Sequence, residues 1–272
     1  MMIAGYTQRM RSVSKQIMKL CLFFCCCLIA CSALAERPRL SVVFEHNPPF
    51  QIIDAKDKGQ GPIIEFAKLL IAVAKENADF RAEFNGKPWA RIMERDAYHP
   101  NILILSISKT PQRVPNFIWL TQVYTGQQYI WKVKGRPDPE DQPLKVAVER
   151  NAHKMMSIRH HFGEENVYKS LNSAQALHAL LKGRVDRFVG TVFAVSGKLK
   201  SLGHDMNELQ RLNKFDDTGF ASQGLAFALT LDSDEFIEEA LRKALKDPRV
   251  EQARAKLQKQ FEASEHKLMS EF

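Results

Sequence analysis

The residues best suited to chemistry in this sequence lie in one stretch, residues 106–113, which reads SISKTPQR. The apolar run before it, residues 101–105, is typical of a buried strand. Because successive side chains of a strand point to opposite faces, Ser106 and Ser108 are predicted to share a face. Two hydroxyl groups would then project together near the end of that strand.

The second half of the stretch predicts the start of a helix with an arginine beside it. Thr110 is a favourable N-cap residue and Pro111 a favourable first helical residue, so free backbone N–H groups should point outward there. Arg113 would project from the first turn, where its planar guanidinium can bind a carboxylate through two hydrogen bonds. Together these features predict an anion-binding site. The alternative from spacing alone is a capped turn with an arginine on the surface.

The first 35 residues predict an export signal. They carry four basic residues and no acidic one, then an apolar run from Leu20 to Ala30, and they end in the small-residue sequence Ala33-Leu34-Ala35. Such a segment is too short and wrongly flanked for a membrane span, so cleavage after Ala35 is expected. An overlapping alternative is a lipoprotein signal that ends in LIAC and leaves a lipidated Cys31 as the N-terminus.

Removal of this segment would also remove every cysteine and lower the net charge. All five cysteines lie within it, so a chain cleaved after Ala35 has no disulfide and no catalytic thiol. The rest of the 272 residues is long enough for one large domain or two smaller lobes. Four of the 39 Lys and Arg residues leave with the signal, and against 31 Asp and Glu residues the net charge falls from +8 to +4. With no basic block and no interleaved aromatic residues, nucleic acid is not an expected partner.

The remaining pattern predicts an α/β fold in two units. A strand at 39–45 and a helix at 62–77 begin the first unit. The proline-bearing charged segment 137–143 marks a boundary, and a second α/β pattern begins with a strand at 144–149. Strands that alternate with helices are typical of mostly parallel sheets flanked by helices. After Pro248 a basic amphipathic helix is predicted to run to about Phe261, with a solvated outer face.

Four segments follow one another behind the signal: PPF at 48–50, SISKTPQR at 106–113, FIWLTQVY at 117–124 and GRVD at 183–186. In their order and spacing the chain resembles the bacterial periplasmic solute-binding proteins of the polar amino-acid type, and the resemblance covers nearly all of the exported chain. It implies a two-lobed type II fold, in which two α/β lobes, each a mostly parallel sheet flanked by helices, are joined by two crossing strands. Lobe 1 would comprise 36–125 plus 224–272 and lobe 2 would comprise 126–223, with the ligand in the cleft between them. The implied location is the periplasm.

The resemblance also implies residue roles. Arg113 takes the place of the arginine that binds the ligand α-carboxylate, and Ser108 that of a hydroxyl that touches the carboxylate or the ammonium. Ser106 lies where a backbone or side-chain contact is usual. Trp89 lies near the position of the aromatic residue that walls the side-chain pocket, and its alternative role is a core tryptophan.

Three positions of the implied ligand-binding set depart from the family pattern. Thr191 stands where an acid normally pairs with the ligand ammonium, and Asn47 stands where an aromatic is usual. Asn151, followed by Ala152, replaces a Gly-Thr pair that contacts the carboxylate. A buried ammonium without an anionic partner costs several kcal/mol, so a carboxylate-bearing or otherwise anionic ligand fits better. The residues that could still supply the missing charge are Glu45, Asp216 and Asp217.

The function implied by the resemblance is capture without chemistry. The cleft would bind a small amino-acid-like molecule or organic acid, and the protein, expected to be a monomer, would deliver it to an inner-membrane ABC-type permease. Two alternatives stay open: presentation of the ligand to a sensor protein, and a periplasmic dehydratase-like enzyme. The candidate acids and bases for that enzyme are Glu45, His46 and Glu149. No cofactor is expected, and His153, His160 and His161 fit no compact metal-ligand spacing.

Overall fold

The computed structural model describes residues 37–54, 58–215 and 222–271. The predicted export signal, its Cys31, and two of the three candidate acids, Asp216 and Asp217, therefore lie outside the described residues. The chain from Arg39 onward forms one compact unit. None of the described helices is long and apolar enough to cross a bilayer.

The described residues contain twelve β-strands and seven α-helices. The strands are β1 (Arg39–Phe44), β2 (Ile52–Ile53), β3 (Gly59–Gln60), β4 (Arg81–Gly86), β5 (Ile102–Ser108), β6 (Phe117–Tyr124), β7 (Gln128–Val133), β8 (Val146–Glu149), β9 (Val167–Ser170), β10 (Arg187–Thr191), β11 (Leu209–Lys214) and β12 (Leu225–Thr230). The helices are α1 (Pro62–Lys75), α2 (Trp89–Glu94), α3 (Met155–Phe162), α4 (Ser173–Leu181), α5 (Val192–Ser201), α6 (Glu235–Ala244) and α7 (Pro248–Glu271).

Two five-stranded sheets organise the chain. The first has the order β4-β1-β5-β12-β6, and the second has the order β11-β7-β10-β8-β9. In the first sheet β12 pairs antiparallel with both of its neighbours while β1 pairs parallel with β4 and β5, so one strand alone runs against the rest. In the second sheet β7 is the reversed strand in the same way. The predicted fold class, two lobes that each contain a mostly parallel sheet flanked by helices, is confirmed.

We call the first sheet with its helices lobe 1 and the second sheet with its helices lobe 2. The chain passes from lobe 1 to lobe 2 between β6 and β7 and returns between β11 and β12. These two connections join the sheets, and each begins at an edge strand, β6 in the first sheet and β11 in the second. The residue boundaries at 125/126 and 223/224 stay a prediction.

Helix α1 shows how the sequence builds the core of lobe 1. Pro62 occupies its first turn, where the missing N–H costs nothing, and the apolar residues that follow recur at helical spacing. Its buried face consists of Ile63, Ile64, Phe66, Ala67, Leu70, Ile71, Val73 and Ala74. These side chains pack with Leu103, Leu105 and Phe227 of the sheet. Each large side chain buried in this way contributes about 1.5–3 kcal/mol.

Helix α7 is longer than predicted and reaches both lobes. The prediction ended it near Phe261, whereas the helix runs to Glu271. Val250, Leu257 and Phe261 are buried in the core of lobe 1, but Leu268 and Met269 pack against the core of lobe 2. No glycine or proline follows Phe261 to stop the helix, and the apolar pair at 268–269 gives its last turns a surface to cover.

The helix predicted to start at Pro111 does not form. The carbonyl of Thr110 accepts hydrogen bonds from the backbone N–H groups of Arg113 at 3.0 Å and Val114 at 2.9 Å, which closes a single turn. A short 3-10 helix, Val114–Asn116, follows. Pro115 explains the difference, because a proline has no N–H to donate and disfavours helical geometry in the residue before it. The arginine therefore lies on a turn, and the anion site has no helix N-terminus.

Candidate functional site

A cavity of about 580 Å³ lies between the two lobes. Six of the seven predicted ligand-binding residues line it, three of them from the SISKTPQR stretch. The six are Arg113, Ser108, Ser106, Trp89, Asn47 and Thr191. The seventh, Asn151, lies beside the cavity and contacts two of its walls. The fold thus gathers residues that are far apart in the sequence, and their contact with a ligand stays a prediction.

The two serines reach the cavity from a strand that does not alternate regularly. Ser106 has a φ of 55°, and the register between β5 and β12 shifts at this point. Ile104 and Ile107 both pack in the cluster around Trp89, so an extra residue has been inserted between them. The Ser106 hydroxyl donates to Oε1 of the buried Gln51 at 2.7 Å. A left-handed conformation outside glycine costs about 1–2 kcal/mol, and such strain is typical of functional positions.

Arg113 is held at the mouth of the cavity by carbonyl groups and an aromatic ring. Its guanidinium donates to the backbone carbonyls of Ser108 at 3.2 Å and Asn151 at 3.0 Å, and it lies 5.3 Å from the centre of the Trp89 ring. Burial lowers the pKa of Arg113 to about 10, and nearby Glu45 opposes that shift. The group is therefore cationic at neutral pH, and no described carboxylate forms an ion pair with it. Its remaining N–H donors are available to an anion.

Asn151 joins the lobes at this point. Its backbone carbonyl also accepts a hydrogen bond from the Trp89 indole N–H at 3.1 Å, and its side-chain amide donates to Glu94 at 2.8 Å. Three residues of lobe 1 therefore bind one residue of lobe 2. Trp89 was a candidate for either a pocket wall or a core residue. It serves as both, since it lines the cavity and is 6 % exposed.

Thr191 caps helix α5. Its Oγ1 accepts from the backbone N–H of Ala194 at 3.2 Å and lies 3.0 Å from the phenol oxygen of Tyr124, within hydrogen-bond distance. Tyr124 donates its single hydrogen to Glu265 of α7, and burial together with that carboxylate raises the pKa of the phenol. The Thr191 hydroxyl, at the position where the resemblance implies an acid, is thus used by the fold and by a contact between the lobes.

Two acids converge on the cavity from the ends of parallel strands in different lobes. Glu45 follows β1 and Glu149 ends β8, and each carboxyl group changes the pKa of the other. Burial raises the pKa of Glu45 to about 7, with Lys198 opposing. Burial and then the charge of Glu45 raise the pKa of Glu149 to about 9. Because these raised pKa values favour the protonated form, we infer that the pair shares a proton at neutral pH.

Two lysines complete the polar lining, the buried Lys198 and the half-buried Lys154, and the sequence analysis did not single them out. Lys198 is 4 % exposed and donates to Oδ1 of Asn47 at 2.6 Å, and burial lowers its pKa. Lys154 donates to the backbone carbonyl of Val189, and burial followed by the charge of Lys198 lowers its pKa to about 7. A signal existed for Lys198, because it shares the buried face of α5 with Val195 and Leu199.

His46 and His153 differ in their position relative to the cavity. His46 accepts a hydrogen bond at Nδ1 from the backbone N–H of Ile53 at 3.1 Å and does not line the cavity. His153 does line it, and burial lowers its pKa well below the ordinary value. Within the described ranges, no three potential metal-binding side chains come together.

An aromatic seam closes the cavity on the side of α5. It consists of Phe50, Tyr124, Phe193 and Phe261, whose ring centres lie between 4.7 and 6.1 Å apart. Phe193 belongs to lobe 2 and the other three rings to lobe 1 and α7, so the seam is made only when the lobes are together. Such ring pairs contribute about 0.5–1.5 kcal/mol each beyond the area they bury.

Gly197 of α5 provides the first testable consequence of this closed arrangement. A Cβ atom there would lie 2.5 Å from the backbone nitrogen of Pro49 and 2.8 Å from the carbonyl carbon of Pro48. Gly197→Ala should therefore push the lobes apart at the Lys198–Asn47 bond, although alanine suits the helix itself better by about 1 kcal/mol. We expect ligand affinity to fall about tenfold or more, roughly the loss of one charge-assisted hydrogen bond.

The measurement is calorimetric titration together with small-angle scattering in saturating ligand. Lys200→Ala is the matched control, since Lys200 lies exposed on the same helix. A Gly197→Ala variant that binds as the wild type does and compacts to the same radius of gyration would show that this contact does not limit closure.

Comparison with known proteins shows similarity at the level of the fold. No protein-family model matches the chain, and no curated protein matches it in sequence. A histidine kinase sensor domain with similarity to periplasmic binding proteins has 18 % identity, covers 82 % of this chain and 96 % of its own, and superposes with a TM-score of 0.64. An amino acid ABC transporter substrate-binding protein from Streptococcus pneumoniae, bound to L-arginine, has 16 % identity, coverages of 85 % and 95 %, and a TM-score of 0.63.

A third similar structure carries an enzymatic connection. It is an ancestral amino acid-binding protein described as a precursor of cyclohexadienyl dehydratase, with 20 % identity, coverages of 82 % and 95 %, and a TM-score of 0.62. At these identities the similarity establishes the fold of periplasmic binding proteins. What the cavity binds has to be argued from its own residues.

Proposed function

We propose that this protein is a solute-binding protein that captures a small carboxylate-bearing ligand in the cavity between its lobes and does no chemistry on it. The observation that carries the proposal is Arg113, a half-buried cation at the cavity wall that Glu45 attracts but that forms no hydrogen bond to a described carboxylate. Taking a charge partly out of water without a bonded counter-ion is costly, and a ligand carboxylate would reduce that cost. Bidentate binding of a carboxylate is the use to which a guanidinium is best suited.

Ser108 completes the carboxylate site. Ser108 and Ser106 line the cavity from the strand that precedes the turn bearing Arg113. The Ser106 hydroxyl hydrogen is used by Gln51, so this oxygen can accept only from an N–H or O–H group of the ligand, while Ser108 remains free to donate to the ligand carboxylate. The bulge in β5 supports this role, because it turns both serines toward the cavity at a cost in strain.

Capture would proceed by closure of the lobes. Ligand binds first to lobe 1 through Arg113 and the serines. Lobe 2 then closes over it, and Asn151 contacts Arg113 and Trp89 while Thr191 contacts Tyr124. The bonds from Trp89 to Asn151 and from Lys198 to Asn47 form only in the closed state, so they favour it once the ligand has neutralised the buried charge. The ordinary partner of such a protein is an inner-membrane ABC permease, and the location we propose is the periplasm.

A thermal-shift screen tests the proposal. The library contains amino acids, mono- and dicarboxylates and small amines, because a specific ligand raises the unfolding midpoint by mass action. We expect hits among carboxylate-bearing compounds and none among the plain amines. A folded protein that responds to no carboxylate, or to amines alone, would contradict the proposal.

The buried acid pair favours one alternative, an enzyme of the dehydratase type. A protonated carboxyl group that lines a ligand cavity can act as a general acid, and Glu149 meets that description. Prolonged incubation of each ligand with the protein, followed by NMR, separates the two functions. Recovery of unchanged ligand supports capture, whereas turnover that Glu149→Gln abolishes supports the enzyme.

A further inference from the structure

We propose that Lys154 and Lys198 form a second anion-binding subsite, so that the ligand carries two acid groups, one held by Arg113 and the other by the lysine pair. The inference rests on the proposed function and specifies the ligand class of the same cavity. It depends on three observations: the two lysines lack ionic partners, the acids nearby carry no more than one negative charge, and the cavity has a surplus of positive charge.

Each ammonium group has donors to spare. An ammonium carries three N–H donors. Lys198 donates to Asn47 and Lys154 donates to the carbonyl of Val189, and no other described oxygen accepts a hydrogen bond from either. In the part of the chain that the structure describes, neither lysine forms an ion pair. Both line the cavity, and Lys198 is 4 % exposed, so their spare N–H donors are directed to whatever occupies the cavity.

The two nearby acids only partly neutralise the lysines. Glu45 and Glu149 are attracted to Lys198, but no described hydrogen bond joins either acid to a lysine. Because burial raises the pKa of both acids, that of Glu149 to about 9, the pair carries no more than one negative charge at pH 7. Three groups that can be cationic, Arg113 and the two lysines, therefore line the cavity against at most a single anion.

The surplus of positive charge in the cavity predicts that the ligand is a dianion. A monocarboxylate on Arg113 would still leave one buried positive charge beside Phe188, whose ring centre lies 5.1 Å from the Lys154 ammonium. A second acid group would be attracted to both lysines and would return the lowered pKa of Lys154 toward its ordinary value. The volume of about 580 Å³ accommodates a small dicarboxylate and is typical of small-molecule sites.

Calorimetric titration of the full chain tests this inference with matched probes. Succinate, glutarate and adipate are compared with their monomethyl esters, and L-glutamate is compared with L-glutamine. We expect at least one dicarboxylate or L-glutamate to bind tenfold or more tightly than its ester or amide. Lys154→Met should weaken that diacid at least tenfold and weaken its ester or amide less than threefold. Lys198→Met also removes the bond to Asn47 between the lobes, so it should weaken every ligand, but it should weaken the diacid at least tenfold more than its ester or amide.

The control variant is Lys200→Met, an exposed lysine on the same helix as Lys198, which should change neither affinity. Replacement of a buried cation by an apolar side chain of similar length should not lower the unfolding midpoint of the free protein, so failure to fold is detected separately. Equal affinity of diacid and ester, or equal losses for both in the lysine variants, would overturn the second subsite and leave the proposed carboxylate-binding function standing. A wild-type protein that binds none of these carboxylates would overturn both.

Discussion

Arg113→Ala is expected to weaken binding of any carboxylate ligand by about 2 kcal/mol or more, which is roughly 30-fold in Kd. The guanidinium lies half-buried over Trp89 and donates to two backbone carbonyls, Ser108 and Asn151, so the closed protein holds it oriented for the ligand. An oriented group binds without a further loss of side-chain entropy. The variant leaves the ligand carboxylate with the Ser108 hydroxyl as its donor at this end of the site, which cannot neutralise its charge.

Two further variants separate charge from geometry. Arg113→Lys keeps the charge but cannot form two parallel hydrogen bonds, so it should recover only part of the lost affinity. Arg91→Ala removes a cation from the adjacent helix α2 that does not line the cavity, and it should bind as the wild type does. Titration calorimetry measures all three. Unchanged affinity in Arg113→Ala, in a protein with a normal unfolding midpoint, would remove this residue from the site.

The sequence was informative wherever a local pattern decides the structure. The alternation of strands and helices predicts the two α/β lobes, and helix α1 follows from Pro62 and an apolar face at helical spacing. Arg113, Ser106 and Ser108 could be placed together because they share one strand and the turn after it. These contacts join near neighbours in the chain, and they are determined by the spacing of apolar residues and by the residue types in the turn.

Other features depend on contacts between distant residues, and a single sequence does not contain them. The bulge at Ser106 results from the pairing of β5 with β12, more than a hundred residues later. Glu45 and Glu149 influence each other's pKa because two strand ends from different lobes meet across the cleft. Each acid could be named as a candidate on its own, but their pairing, which sets their charge, could not.

Lys198 is an intermediate case. Its helical spacing places it on the apolar face of α5 between Val195 and Leu199, where a lysine is normally excluded. A charged residue on a buried face indicates either a structural ion pair or a functional site. Sequence alone shows that such a residue needs an explanation, and the cavity supplies one.

The shared proton of Glu45 and Glu149 leads to the second large effect, a dependence of ligand affinity on pH. In an open protein both carboxyl groups would face water and have ordinary pKa values, near 4.5. Closure buries them and raises both pKa values, so the closed state binds a proton that the open state does not. The contribution of the pair to closure is complete below pH 4.5 and is lost as the pH rises through the raised values. One such proton changes affinity by about tenfold per pH unit.

Burial acts on the other groups that face the pair in the opposite direction. It lowers the pKa of His153 and of Lys154, so closure releases a proton from His153 below about pH 6.5 and from Lys154 above about pH 7. Burial also lowers the pKa of Lys198 and of Arg113, that of Arg113 to about 10. The wild-type profile alone therefore mixes several protons. A variant that changes only the pair isolates its share.

Glu149→Gln is that variant, because an amide can donate to Glu45 without a shared proton. The ratio of wild-type Kd to Glu149→Gln Kd should rise about tenfold per unit between pH 5 and pH 7, roughly 100-fold in all. Titrations of the tightest carboxylate ligand at pH 5, 6 and 7 measure the ratio, and buffers of different ionisation enthalpy count the proton directly.

Glu94→Gln provides the matched control for this experiment. It changes an exposed acid that also bonds across the lobes, to Asn151, without touching the buried pair. Its affinity should follow the wild-type pH profile within about threefold, since the substitution leaves the buried pair unchanged and the amide oxygen can still accept from Asn151. A ratio for Glu149→Gln that stays equally flat would mean that the two acids do not share a proton, and the surplus of positive charge in the cavity would then fall from two to one.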